Sequence, residues 1–143
     1  QGLQEGRGVG LLAMGASISL LVPRSGAEQR WRLLEELAGM RAEGDVPLAD
    51  VLERLSHTIT RGHDVAVIAT ALDDAWVEGV RTLLWRGAHV HAILLATEPP
   101  TATNNLQPPS HATSRDAVAA ALADLGVPLL IVEPHPDPAR LVA

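Results

Sequence analysis

His89 and His91 stand two residues apart inside the apolar segment Ala88 to Ala96, so on an extended strand both imidazoles project from one face. Two nitrogens are half of a tetrahedral zinc set. No third ligand with suitable spacing is identifiable, and the pair falls at the amino end of its segment, so semi-buried, hydrogen-bonded histidines are the expectation. His57, His63, His111 and His135 are dispersed and read as surface or turn residues. A second group follows the apolar run Asp64 to Thr70: Thr70, Asp73 and Asp74 offer oxygen atoms either as residual cation ligands or as caps of the next helix. The preference of Asp for the N-cap position favours capping. Gly6, Gly8 and Gly10 precede an apolar run, whereas a nucleotide-binding glycine loop follows a strand and opens a helix. Cysteine is absent, as are Gly-x-Ser-x-Gly and His-Glu-x-x-His, so no complete catalytic set is present and the chain reads as a non-enzyme. Among the tryptophans, Trp31 and Trp76 fall on apolar helical faces and read as core, given how often large aromatics are buried. Trp85, beside Arg81 and Arg86 near a helix end, is the candidate protein-binding residue.

The elements that would position these groups are legible from periodicity. Gly8 to Met14 and Ile18 to Val22 flank the turn residues Gly15, Ala16 and Ser17 and predict a hairpin. Ser25 and Glu28 have capping-box spacing ahead of a helix with Trp31, Leu34, Leu37 and Ala38 at helical intervals, running to about Met40. A second helix carries Pro47 in its first turn, presents Leu48, Val51, Leu52, Leu55 and Ile59 on one face, and closes at Gly62. Asp64 to Thr70 is apolar on both faces, as a parallel strand covered by helices on both sides requires. Next come a helix with Trp76, Val77, Val80, Leu83 and Leu84 inward, a strand at Ala88 to Ala96, and an aperiodic stretch at 97–113 that reads as a flexible surface loop. A last helix from Ser114 presents Val118, Ala121, Leu122 and Leu125, and a final strand spans Val127 to Val132.

This order predicts a single α/β domain over 1–143: three-layer, doubly wound, with a mostly parallel sheet and one antiparallel edge strand. Ligands of open α/β sheets bind outside the carboxyl ends of the strands, which directs attention to Ser17, Thr70, Asp73, Asp74, Thr97, Glu98, Glu133 and His135. A net charge of −6 without a basic stripe speaks against a nucleic acid partner. Apolar runs stop well short of the ~20 residues that span a bilayer, so this segment reads as cytoplasmic; a membrane-anchored parent chain stays open.

The segments VGLLAMG, LLVPRSG, WRLLEELAGM, GDVPLADVLERL and DVAVIAT followed by LDD resemble, over about Gly8 to Leu95, the conserved half of the bacterial domain of unknown function number fifty-eight. That family is von Willebrand factor A-like and often encoded beside MoxR-type AAA+ ATPases. The resemblance implies such a fold without its first strand, which would lie between the strands at Gly8 to Met14 and Asp64 to Thr70. Buried strand edges need partners, so those two strands should pair directly or have the gap filled by a neighbouring chain or a swapped segment. The resemblance also implies a metal-ion-dependent adhesion site. The position matching its Thr is Val46 and the position matching its Asp is Thr70, so the oxygen ligands a hard cation requires are missing and the site is degenerate, with neither metal nor other cofactor expected.

The resulting expectation is an interaction (adaptor) domain whose partner, by resemblance, is a MoxR-type AAA+ ATPase, with self-association through sheet edges open as well. The alternative is a small-ligand- or cation-binding domain, or an enzyme, using a cleft around Thr70, Asp73 and Glu133. A fragment whose activity needs an upstream segment is the third reading.

Overall fold

A computed structural model describes residues 3, 5–15, 17–41, 43–69, 74–95 and 110–132, without the side chains of 110–114. The chain divides into two compact units, Gln1–Val51 and Leu52–Ala143.

In the first unit β1 (Val9–Met14) and β2 (Ile18–Arg24) form an antiparallel hairpin with Met14 opposite Ile18 and Leu12 opposite Leu20. The turn is the one its glycine and serine suggest, Gly15 N–H donating to Ser17 O at 3.1 Å. Pro23 cannot donate to the ladder, and the register shifts between Val9 and Leu11. Gly10 makes that shift feasible: a Cβ there would lie 2.7 Å from Leu21 O and 2.9 Å from Pro23 Cδ.

Helix α1 (Ala27–Gly39) lies against the hairpin. Its N-cap is Gly26, at φ 98° and with no side-chain cap bond, so the Ser25–Glu28 capping box does not form. Ser25 sits one residue too early, and Glu28 pairs instead with Arg32 at 2.8 Å, one turn along the helix. The buried residue of α1 is Gln29, whose amide donates to Val9 O at 2.8 Å and Val22 O at 3.1 Å. Consequently the inward face runs through Gln29, Leu33 and Glu36, while the apolar stripe of Trp31, Leu34 and Leu37 is exposed. The reading of Trp31 as core is therefore corrected: 71% of its surface is accessible.

Helix α2 (Leu48–Ser56) contains the boundary between the units. Pro47 O accepts the N–H groups of Asp50 and Val51, which places the proline at the helix entrance. The helix stops before Ile59, because the buried Ser56 hydroxyl turns back to Glu53 O at 2.6 Å and the N–H groups of Thr58 and Ile59 converge on Leu55 O.

The second unit holds β3 (Asp64–Ala69), α3 (Ala75–Trp85), β4 (His89–Leu95), α4 (Ser110–Asp124) and β5 (Leu129–Val132). Its strands are parallel in the order β3-β4-β5. Both crossing helices end in the same left-handed glycine device. Gly87 (φ 84°) donates to Leu84 O while Ala88 N–H reaches Leu83 O; Gly126 (φ 70°) donates to Ala123 O while Val127 N–H reaches Leu122 O. In each case the pair that closes the motif is buried, Leu83 with Ala88 and Leu122 with Val127. Each helix is thereby turned directly into the strand that follows.

Right-handed crossovers between sequential parallel neighbours put successive helices on one side of a sheet, and α3 touches α4. The core lies between them and the sheet: Val65, Val67, Ala69, Val90, Ala92 and Leu94 meet Trp76, Val77, Val80, Leu83, Val118 and Leu122, all buried as the helical periods predict. Burial alternates along β3, so its second face is not covered in the way an apolar run on both faces suggests; Ala66 and Ile68 are exposed. Among the described residues this unit has two layers, helices and sheet.

The architecture is mixed α/β, with a parallel three-stranded sheet and a separate antiparallel two-stranded one. The expected mostly parallel sheet with an antiparallel edge strand is corrected accordingly. Within its own unit, β1 pairs with β2 and β3 with β4. Of the 97–113 loop, 97–109 lies outside the described residues, and α4 begins at Ser110, four residues ahead of Ser114.

Candidate functional site

The inward positions of α3 are Trp76, Val77, Val80 and Leu83, which leaves Arg81 and Trp85, one turn apart, on the outward face. Trp85 has 85% of its surface accessible, against 1% for Trp76 on the same helix. Arg81 Nε lies 3.4 Å from Glu78 Oε2, and Arg86 is the exposed C-cap residue whose N–H donates to Thr82 O at 3.1 Å. Thr82 adds a hydroxyl bond to Glu78 O at 3.1 Å. The three predicted protein-binding residues are thus brought together at the carboxyl end of a helix anchored by four buried side chains. An exposed indole on a helix end that also carries two arginines can stack on an apolar or aromatic surface while the guanidinium groups pair with carboxylates.

Of the groups predicted at the carboxyl ends of the strands, Thr70, Asp73, Thr97, Glu98, Glu133 and His135 lie outside the described residues. Asp74 is the N-cap of α3, yet its backbone is helical (φ −95°, ψ −3°) and its side chain makes no cap bond. Capping by the Asp74 carboxylate is therefore corrected, since an N-cap oxygen reaches the first-turn N–H groups from an extended backbone. Only its main-chain carbonyl joins the helix, accepting from Val77 N–H at 3.0 Å. Nearby, Trp76 Nε1 is buried without a hydrogen-bond partner among the described residues.

Ser17 lies in a shallow concavity of the first unit, about 190 Å³, lined also by Gly15, Ser19, Glu35, Glu36, Gly39, Met40 and Arg41. The Ser19 hydroxyl donates to Glu36 there. Among the described residues no histidine lines it, and the group that accepts from the Ser19 hydroxyl is the Glu36 carboxylate.

His89 and His91 are both exposed, which corrects the semi-buried reading. Register explains this: Asp64 pairs with His89 and Ala66 with His91, so these residues share the uncovered face of the sheet. His89 Nδ1 approaches Asp64 Oδ1 at 3.2 Å. Sequence reading missed that contact because it depends on the lateral register of two strands 25 residues apart. Its one signal was that each residue opens its strand after a glycine turn. Among the described residues no group of three or more His, Asp or Glu is placed to hold a metal ion. No helix among them is long and apolar enough to cross a membrane.

No protein-family model matches the chain, and no curated protein is significantly similar to it.

Proposed function

We propose that this chain is a non-enzymatic protein-interaction module that uses the Trp85, Arg81 and Arg86 surface as its anchor. The observation that carries the reading is the near-complete exposure of Trp85 on a helix whose opposite face is fully packed. Leaving such a ring in water forgoes the burial gain of a large apolar side chain, about 25 cal/mol per Å² of area. Apolar exposure elsewhere is in keeping with it: Trp31, Leu34 and Leu37 on α1, and Ile68, Leu130 and Val132 on the uncovered sheet face. Exposed apolar residues grouped on regular elements mark interaction surfaces.

The motif order supports a von Willebrand factor A-like parent with a degenerate cation site, and hence a MoxR-type AAA+ ATPase as the partner, in a cytoplasmic setting. Affinity measured between the purified chain and the MoxR-type ATPase of the same genome tests this. Trp85→Ala is expected to weaken the complex by ~30-fold or more, the ~2 kcal/mol that defines an interface hot spot. Reversing Arg81 and Arg86 to Glu is expected to slow association. A complex indifferent to all three changes would sink the reading.

A further inference from the structure

We propose that His89 and His91 chelate a divalent transition-metal ion of the imidazole-preferring class, zinc being the reference case, through their Nε2 atoms at the amino end of β4. Side chains two apart on a strand share a face, and here that face is open to solvent, so an ion can reach both rings without displacing protein. The contact between His89 Nδ1 and Asp64 Oδ1 at 3.2 Å sets the chemistry. An ionised carboxylate only accepts, so Nδ1 carries the proton and the Nε2 lone pair is left outward. A carboxylate behind the non-ligating nitrogen is the arrangement that orients metal-bound histidines and raises their basicity. Asp64 is therefore a positioning residue and not a ligand. Beside His91 the neighbouring strand presents Ala66, whose methyl group leaves lateral room for the second ring. Two protein nitrogens leave the remaining coordination positions to water, and divalent zinc and copper accept such sets where magnesium and calcium prefer oxygen.

The proposed ligands include none of Trp85, Arg81 and Arg86, so each reading is tested by its own variants. Titration calorimetry with Zn²⁺ on the full chain without an affinity tag tests it, with magnesium as the contrasting ion. One zinc ion per chain is expected to bind, with no heat from magnesium. His89→Gln and His91→Gln are each expected to weaken binding by at least ~10-fold, and Asp64→Asn by ~10-fold through loss of the negative charge that raises the basicity of the His89 ring. His57→Gln, in the turn after α2, should leave affinity unchanged, and circular dichroism checks that each variant is folded. Zinc-induced shifts of the His89 and His91 ring nitrogens in NMR spectra would support the assignment directly. Failure of the wild-type chain to saturate with zinc, or loss of binding in His57→Gln with retention in His91→Gln, overturns it. An Asp64→Asn chain that binds as tightly as wild type overturns the positioning role.

Discussion

Replacing Gly79 by alanine pits two opposing effects against each other within helix α3. In a helix interior alanine is favoured over glycine by about 1 kcal/mol, so an unhindered site would be stabilised. Gly79 is not unhindered, because a Cβ there would lie 2.7 Å from Leu52 Cβ and 3.1 Å from Leu52 Cδ1. The nearer atom is fixed to the α2 backbone and cannot swing aside, so the two helices must separate. Overpacking of this kind costs about 1–3 kcal/mol, which outweighs the propensity gain and predicts a net loss of about 1 kcal/mol. For a unit of this size that lowers the melting temperature by roughly 4–8 °C. Thermal unfolding followed by circular dichroism reads it. Adding Leu52→Ala should not restore stability, since the close Cβ remains. Stabilisation by Gly79→Ala would refute the close approach of α2 and α3, and full rescue by Leu52→Ala would place the clash on the leucine's outer atoms instead of its Cβ.

Two further outcomes follow from buried polar groups. Gln29→Leu leaves Val9 O and Val22 O without their donor, a loss of about 1–3 kcal/mol that hydrogen exchange should show as reduced protection of β1 and β2. In the other direction, Trp76→Phe removes an Nε1–H that has no partner among the described residues, so denaturant unfolding should find it within about 1 kcal/mol of wild type, whereas Trp76→Ala should cost about 3–5 kcal/mol as a cavity.

Local chemistry, present in the residues themselves, decided the elements of this protein. Gly15 with Ser17 turns the hairpin, the glycines at 87 and 126 end α3 and α4, and the periods of Trp76–Leu83 and Val118–Leu122 choose the inward faces, because each depends on neighbours within a turn or two of chain. Tertiary structure decided what those elements meet. The apolar stripe of Trp31, Leu34 and Leu37 predicts burial, yet α1 docks through Gln29, because two main-chain carbonyls of the hairpin need a donor there and a leucine has none. The apolar run of β3 is equally mute about which face is covered: crossovers of one hand in sequential strand order place α3 and α4 together and leave Ile68 in solvent. Likewise the exposure of Trp85 was legible from its arginine neighbours, but the pairing of Asp64 with His89 arises only when two strands distant in sequence align laterally, a register no single strand encodes.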